Sequence, residues 1–182
     1  MNVYLDIDGV IMANDREPAR HVHEFLEYVV SKYQAYWLTT HCYGDLSYTT
    51  HHLSQWLKPE TLKLAAKIRP TDWQVFKTEA IDWKIPFLWF DDQLFDFGKA
   101  DLVKHRVLDS WIEVDFSRDV DQLQKIVRNF PRPAVSLNWQ VAIWPGEINL
   151  TSWRNILILL APAAEVKKEK ITTDCILILG YR

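Results

Sequence analysis

Asp6 and Asp8 stand two residues apart at the end of a short apolar run, Val3 to Ile7, with Gly9 directly after them. Two carboxylates this close repel one another, and on the edge of a sheet their charge costs free energy unless a cation pairs with it. A site with oxygen-only ligands suits Mg²⁺, which keeps several waters and takes few protein donors. A second acidic pair, Asp91-Asp92, ends another apolar run, Pro86 to Phe90, and would complete such a shell. A third run, Ala35 to Leu38, ends in the hydroxyls of Thr39 and Thr40. Three distant segments therefore deliver oxygen ligands together if their runs are neighbouring strands. A calcium loop of the EF-hand kind is excluded, because its fifth and sixth positions would be Val10 and Ile11 instead of an oxygen ligand and glycine. Asp-x-Asp-Gly by itself is also a common turn. What favours chemistry is its coincidence with two further polar strand ends.

Those runs alternate with stretches of helical spacing. Residues 18 to 33 place Val22, Phe25, Leu26, Val29 and Val30 on one stripe behind Pro18. Residues 46 to 57 carry Leu46, Leu53, Trp56 and Leu57 and stop at Pro59, and residues 72 to 83 read as a helix with Val75, Phe76, Ala80 and Ile81. A short strand is expected around Ala65 to Ile68, another strand over Ser110 to Val114, and an amphipathic helix over Val120 to Phe130 before Pro131-Arg132-Pro133. Strands alternating with helices imply an α/β, Rossmann-like, mostly parallel sheet with helices on both faces. Ligands of such open sheets bind beyond the carboxyl ends of the strands.

Val3-Tyr4-Leu5-Asp6-Ile7-Asp8-Gly9-Val10 resembles motif I of the haloacid dehalogenase superfamily, an apolar strand followed by D-x-D-G-T/V. Tyr36-Trp37-Leu38-Thr39 resembles motif II, and Leu88-Trp89-Phe90-Asp91-Asp92 resembles motif IV. Lys77 sits where motif III supplies its lysine, and the order along the chain is right. Trp37-Leu38-Thr39-Thr40 and Trp89-Phe90-Asp91-Asp92-Gln93 further resemble small capless members, some of them attached to RNA-repair proteins. The resemblance covers roughly residues 1 to 130 and implies a Mg²⁺-dependent phosphohydrolase. It implies that Asp6 attacks phosphorus to form an aspartyl-phosphate, and that Asp8 protonates the leaving oxygen and then activates water. An aspartate at position 8 favours phosphatase over dehalogenase chemistry. The resemblance further implies that Asp6, Asp91 and the backbone carbonyl of Asp8 hold the metal with Asp92 beside them, and that Thr39 and Lys77 bind the phosphoryl oxygens. Thr40 is the alternative to Thr39, and Lys63 or Lys67 to Lys77. Residues 10 to 17 leave room for a short flap only, so a capless form with an open site is expected.

Composition narrows the alternatives. With 182 residues, 48% of them hydrophobic and 25% charged, the chain is long enough for one buried domain with a small appendage and is not disordered. The expected division is a phosphatase-like domain over 1–133 and a C-terminal extension over 134–182, whose aliphatic runs include Val141 to Trp144, Ile156 to Leu160 and Ile176 to Leu179. The formal net charge of −3 gives no global basic footprint for nucleic acid. Cys42 and Cys175 form no C-x-x-C pair, and the amino-terminal run lacks the basic and apolar regions of a leader, so a reducing cytoplasm is expected. The apolar run Ile156 to Ala164 is far short of the roughly 20 residues of a membrane span. There is no G-x-x-x-x-G-K-S/T loop for nucleotide phosphates. His21, His23, His51 and His52 read as solvated or core histidines, whereas His41, just past Thr39-Thr40, stands within reach of substrate. The partner is a phosphorylated small molecule or an exposed macromolecular end, with no membrane. The alternatives to a general phosphatase are a nucleic-acid end-processing phosphatase, with a basic, tryptophan-lined groove drawn from Arg69, Arg106, Trp73 and Trp89, and an inactive binding module of the same fold.

Overall fold

A computed structural model describes residues 1–14 and 16–132. The expected extension over 134–182, with its aliphatic runs and Cys175, lies outside the described residues.

Strand β1 (Asn2–Leu5) is buried along its whole length, as a central parallel strand must be. The chain leaves it through a small antiparallel hairpin, β2 (Met12–Asn14) and β3 (Glu17–Pro18), and enters helix α1 (Val22–Lys32). Helix α1 buries Val22, Phe25, Leu26 and Val29, the stripe its sequence spacing dictates. Strand β4 (Gln34–Trp37) follows, then helix α2 (Leu46–Ser54), begun by the Asp45 carboxylate, which accepts the Ser47 N–H at 2.8 Å. Helix α2 ends at Ser54, ahead of Pro59, which instead occupies the first turn of a new helix, α3 (Pro59–Ala65), where its missing N–H costs nothing. Strand β5 (Phe87–Asp91), helix α4 (Asp96–Lys104), strand β6 (Trp111–Glu113) and helix α5 (Gln122–Arg128) complete the described chain.

The four long-range strands pair in parallel in the order β4-β1-β5-β6. Period-two alternation gives the sheet two different faces. Val3, Leu5, Ala35, Trp37, Leu88 and Phe90 point to one face, under α1, α2, α3 and α5. Tyr4, Phe87, Trp89 and Trp111 point to the other, where Leu102 of α4 and Ile81 cover them. The sheet is therefore α/β and compatible with a Rossmann-like arrangement. From β1 the chain moves outward to β4, then crosses back to pair β5 on the other side of β1. The crevice beyond the ends of β1 and β5 is thus the topological switch point.

Three sequence expectations need correction. Residues 65–68 form no strand; α3 runs to Ala65, and only Arg69 bridges to Tyr36. Residues 72–83 do not form a long helix. Only Lys77–Ala80 turn, as a 3₁₀ segment, because the Glu79 carboxylate accepts the N–H groups of Gln74, Val75 and Phe76 and so takes them out of a helical ladder. Helix α4 was unexpected, since it buries only Gly98 and Leu102 and so shows no apolar stripe. It ends in a Schellman-type closure, with Val107 N–H bonded to Leu102 C=O, Arg106 N–H to Val103 C=O, and Arg106 at φ 58°.

Phe25 is fully buried and meets Phe90 edge-on at 5.5 Å, joining α1 to β5. Phe25→Ala should destabilise the fold by about 3–5 kcal/mol through the lost burial and the cavity left behind. Urea unfolding that shows an unchanged midpoint would refute this.

Candidate active site

Asp6 immediately follows β1, and its own N–H bonds to Phe90 C=O at 3.0 Å, so the backbone pairing of β1 with β5 extends as far as the carboxylate. Asp91 is the last residue of β5, and its C=O accepts the Val114 N–H at 3.0 Å. Both side chains are buried, at 9% and 2% exposure. Between them lies the Lys77 ammonium, 2.6 Å from Asp6 Oδ2 and 2.7 Å from Asp91 Oδ2. Asp6 Oδ1 accepts the Ile7 N–H at 2.7 Å. Asp91 Oδ2 also accepts the Trp89 indole N–H at 3.0 Å, and its Oδ1 accepts the Gln93 N–H at 3.1 Å. Asp92 is exposed and completes a group in which carboxylate oxygens of Asp6, Asp91 and Asp92 lie within 4.8 Å of one another.

The electrostatics follow from burial. Asp91 is pushed up from its ordinary range to about 7, first by desolvation and then by the charge of Asp6, with Lys77 opposing both. Burial pulls Lys77 down, but Asp6 and Asp91 outweigh it and hold the ammonium above its usual value. One ammonium faces three carboxylates here, which leaves room for a further positive charge. The donors are all oxygens, the set that a hard dication such as Mg²⁺ takes.

Gly9 makes the approach of Asp92 possible. It sits at φ 71°, and a Cβ there would lie 2.4 Å from the Asp92 Cβ. The turn closes with Val10, Ile11 and Met12 N–H groups all directed at Ile7 C=O.

Asp8 points elsewhere. Its carboxylate accepts or shares a proton with His41 Nε2 at 2.9 Å, and the His41 ring stacks on His52 at 4.0 Å. Asp8, His41 and His52 thus form a second group of possible ligand atoms, apart from the Asp6, Asp91 and Asp92 carboxylates. Burial, reinforced by His41, holds His52 below its ordinary value, with Asp8 partly offsetting it. His41 thus lies against the Asp8 carboxylate, while His23 contacts Thr61 at 2.9 Å and His21 starts α1 near Asp121. His52 was not singled out from sequence, and its adjacency to His51 on a helix carries no signal for a contact eleven residues away.

Thr39 is buried, with its Oγ1 3.4 Å from the His41 N–H; Thr40 is exposed and opens onto two cavities. Of the candidate lysines, Lys77 alone touches the acids. Lys63 is exposed on α3, and Lys67 lines a cavity at the start of β4 with Gln34, Ala35 and Arg69. The position of Lys77 is fixed on both sides, by the Glu79 clamp and by Thr78 Oγ1 donating to Asp101 Oδ2 of α4 at 2.6 Å. Trp73 and Trp89 line a cleft next to Lys77. The Arg69 guanidinium instead bonds Gln34 and the Tyr36 hydroxyl, and Arg106 closes α4.

No family model, no curated protein and no solved structure matches this chain.

The raised Asp91 makes a pH prediction for the metal-free protein. An acid whose folded value is raised contributes stability fully below its unfolded value of 3.8, and that contribution is lost as pH rises through about 7. His52, held low, acts with the opposite sign. In chelator, the melting temperature of wild type should therefore fall relative to Asp91→Asn between pH 4 and pH 8, and Mg²⁺ should restore wild type at the upper end. Parallel curves for the two proteins would exclude the assignment.

Proposed function

We propose that this chain is a Mg²⁺-dependent phosphomonoesterase of the haloacid dehalogenase type that works through an aspartyl-phosphate on Asp6. The observation that carries the reading is the Lys77 bridge between the buried carboxylates of Asp6 and Asp91 at the switch point of a parallel sheet. A lysine drawn from a loop into that crevice, with a dication-type oxygen set around it, fits a pocket for a phosphoryl group better than a structural ion pair.

In this reading Asp6, Asp91 and Asp92 hold the metal, with the Asp8 carbonyl contributing as the family resemblance implies. When bound, it would neutralise charge on the phosphoryl oxygens and on the acids. An Asp6 carboxylate oxygen attacks phosphorus, and the bond from phosphorus to the leaving oxygen breaks. Asp8 gives its proton to that oxygen, so an alcohol departs. Asp8 then takes a proton from water, whose oxygen attacks the same phosphorus; the bond to Asp6 breaks and inorganic phosphate leaves. Lys77 and the hydroxyl of Thr39 or Thr40 stabilise the charge of the equatorial oxygens. His41 holds the Asp8 carboxylate at 2.9 Å, so the proton transfer requires Asp8 to turn from that ring toward the leaving oxygen. The two-strand hairpin of β2 and β3 is the one insertion between β1 and α1, which fits a capless, open site. The cytoplasmic setting belongs to the same reading and rests on cysteine usage; among the described helices none is long and apolar enough to cross a membrane.

The nucleic-acid end-processing alternative keeps Trp73 and Trp89 but loses the basic groove, since Arg69 is engaged with Gln34 and Tyr36. Phosphate release from an aryl phosphate tests the main reading. Wild type should turn over with Mg²⁺ and stop with chelator, and Asp6→Asn should lose about 10³-fold or more. Lys77→Met should lower kcat about 10²–10³-fold. Asp8→Asn should cost about 10²–10⁴-fold on an alkyl phosphate and much less on 4-nitrophenyl phosphate, whose leaving group needs no proton. Absence of turnover across aryl, alkyl and oligonucleotide phosphates would leave the inactive binding module as the better account.

A further inference from the structure

Beside the acids lies an apolar cleft of about 310 Å³, at the small end of the range for ligand pockets. Its walls are Trp73, Phe76, Trp89, Phe95 and Phe97, and Lys77 also lines it. Phe95 and Phe97 are 62% and 65% exposed, and Phe97 packs against Phe76 with ring centroids 4.7 Å apart. Such grouped exposure of large rings is unfavourable in a protein that leaves it bare, and grouped apolar surface of this kind marks binding sites. Four separate segments contribute: Thr40 after β4, the stretch from Trp73 to Thr78, Trp89 of β5, and the start of α4. Gly98 belongs to the same arrangement, because a Cβ there would press on Leu94 at 3.2 Å and on the Trp89 ring at 3.3 Å.

We propose that this cleft is the leaving-group subsite and takes a flat, uncharged aromatic ring joined to the phosphate. This rests on the phosphatase reading and adds the substrate class to it. The argument is one of continuity and polarity. The Lys77 side chain borders the cleft while its ammonium touches Asp6, so a phosphoryl group at the acids places its substituent against the rings. The cleft has little with which to recognise a polar substituent. Thr78 already donates to Asp101, which leaves, among the described residues, the Thr40 hydroxyl and the Trp73 indole N–H as the polar groups of the lining beside Lys77 that no side chain engages. Sugars and polyols need several hydrogen-bond partners to replace water, and an aromatic ring needs stacking surface. A chain of phosphates would need more cations than Lys77.

The test separates binding from turnover. Equilibrium binding of phenylphosphonate, 1-naphthylphosphonate and methylphosphonate, none of them hydrolysed, is measured on the full chain with Mg²⁺ by calorimetry. The aryl compounds should bind about tenfold or more tightly than methylphosphonate. Phe97→Ser, an exposed position where folding is secure, and Trp73→Ala should each remove most of that advantage and leave methylphosphonate affinity within about twofold. A nucleoside 5′-monophosphate, whose ribose separates base from phosphate, should bind more weakly than naphthylphosphonate, and an affinity matching it overturns the direct join of ring to phosphate. Equal affinity for aryl and methyl compounds overturns the proposal, as does an aryl advantage that survives both substitutions. An affinity that requires an oligonucleotide and collapses with salt overturns it too. Ring preference without turnover of any ester would retain the cleft and refute the phosphatase, whereas turnover without ring preference would do the reverse.

Discussion

Two carboxylates, each buried and carried on adjacent parallel strands, cannot both keep their charge without a cation between them. Lys77 supplies that cation, and much of the surrounding chain is arranged to bring it there. Removing water from Asp6, Asp91 and Lys77 costs several kcal/mol per ion, and their mutual attraction offsets this only with good geometry and further hydrogen bonds. Both conditions are met. The ammonium contacts are short, and the remaining carboxylate oxygens receive the Ile7 and Gln93 N–H groups, while the Trp89 indole shares the oxygen that faces Lys77. The rise of Asp91 to about 7 shows that one lysine compensates the pair incompletely. An arrangement built purely for stability would replace such a cluster with apolar side chains at little cost. Its retention at a switch point is the physical argument for chemistry.

The same constraint explains the irregular segment between α3 and β5. A long helix over residues 72–83 would satisfy its own backbone and carry Lys77 on a surface turn. The Glu79 carboxylate instead collects three backbone N–H groups, and the Thr71 hydroxyl donates to Trp37 C=O, tying the loop to β4. Thr78 then anchors the 3₁₀ turn to Asp101 of α4. Tertiary contacts of single polar side chains thus outweigh a helical apolar pattern, and the exposed Val75 and Phe76 follow from that outcome.

Legibility in the sequence follows from this distinction. Strands β1 and β5 were readable because a parallel strand covered on both faces is a plain apolar run, and the edge strand β4 because Ala35 and Trp37 in it are buried. Helix α1 was readable because one of its faces is buried, and its four buried residues fall at the spacing a helix imposes. Asp6, Asp91 and Lys77 were readable through strand ends and motif order. By contrast α4 carries little apolar periodicity and is held by Gly98 under Trp89, a close approach that no pattern of side-chain types expresses. The contact of Asp8 with His41 and the stacking of His41 on His52 depend on where α2 lands after β4, which is a matter of loop geometry. The rings of Phe95 and Phe97 lie outside any apolar run or stripe, so only their assembly around Lys77 gives them a shared role.

The two kinds of surface at the strand ends divide the work of recognition. The acids and Lys77 offer charge in a confined crevice, where Coulomb interactions are strong but say little about what is attached to a phosphate. The hairpin of β2 and β3 is three and two residues long and is too small to enclose a substituent. In the proposed phosphatase reading, discrimination among esters falls to walls that the main fold provides, and the aromatic cleft lined by Lys77 and Trp89 is the one that shares those side chains with the charged crevice. Trp89 itself joins both functions: its indole N–H orients the Asp91 carboxylate, while its ring faces the cleft. A change in how the cleft is filled would thus be felt at Asp91 through one rigid, buried side chain, which couples what is bound to how the acid that completes the charge cluster is held.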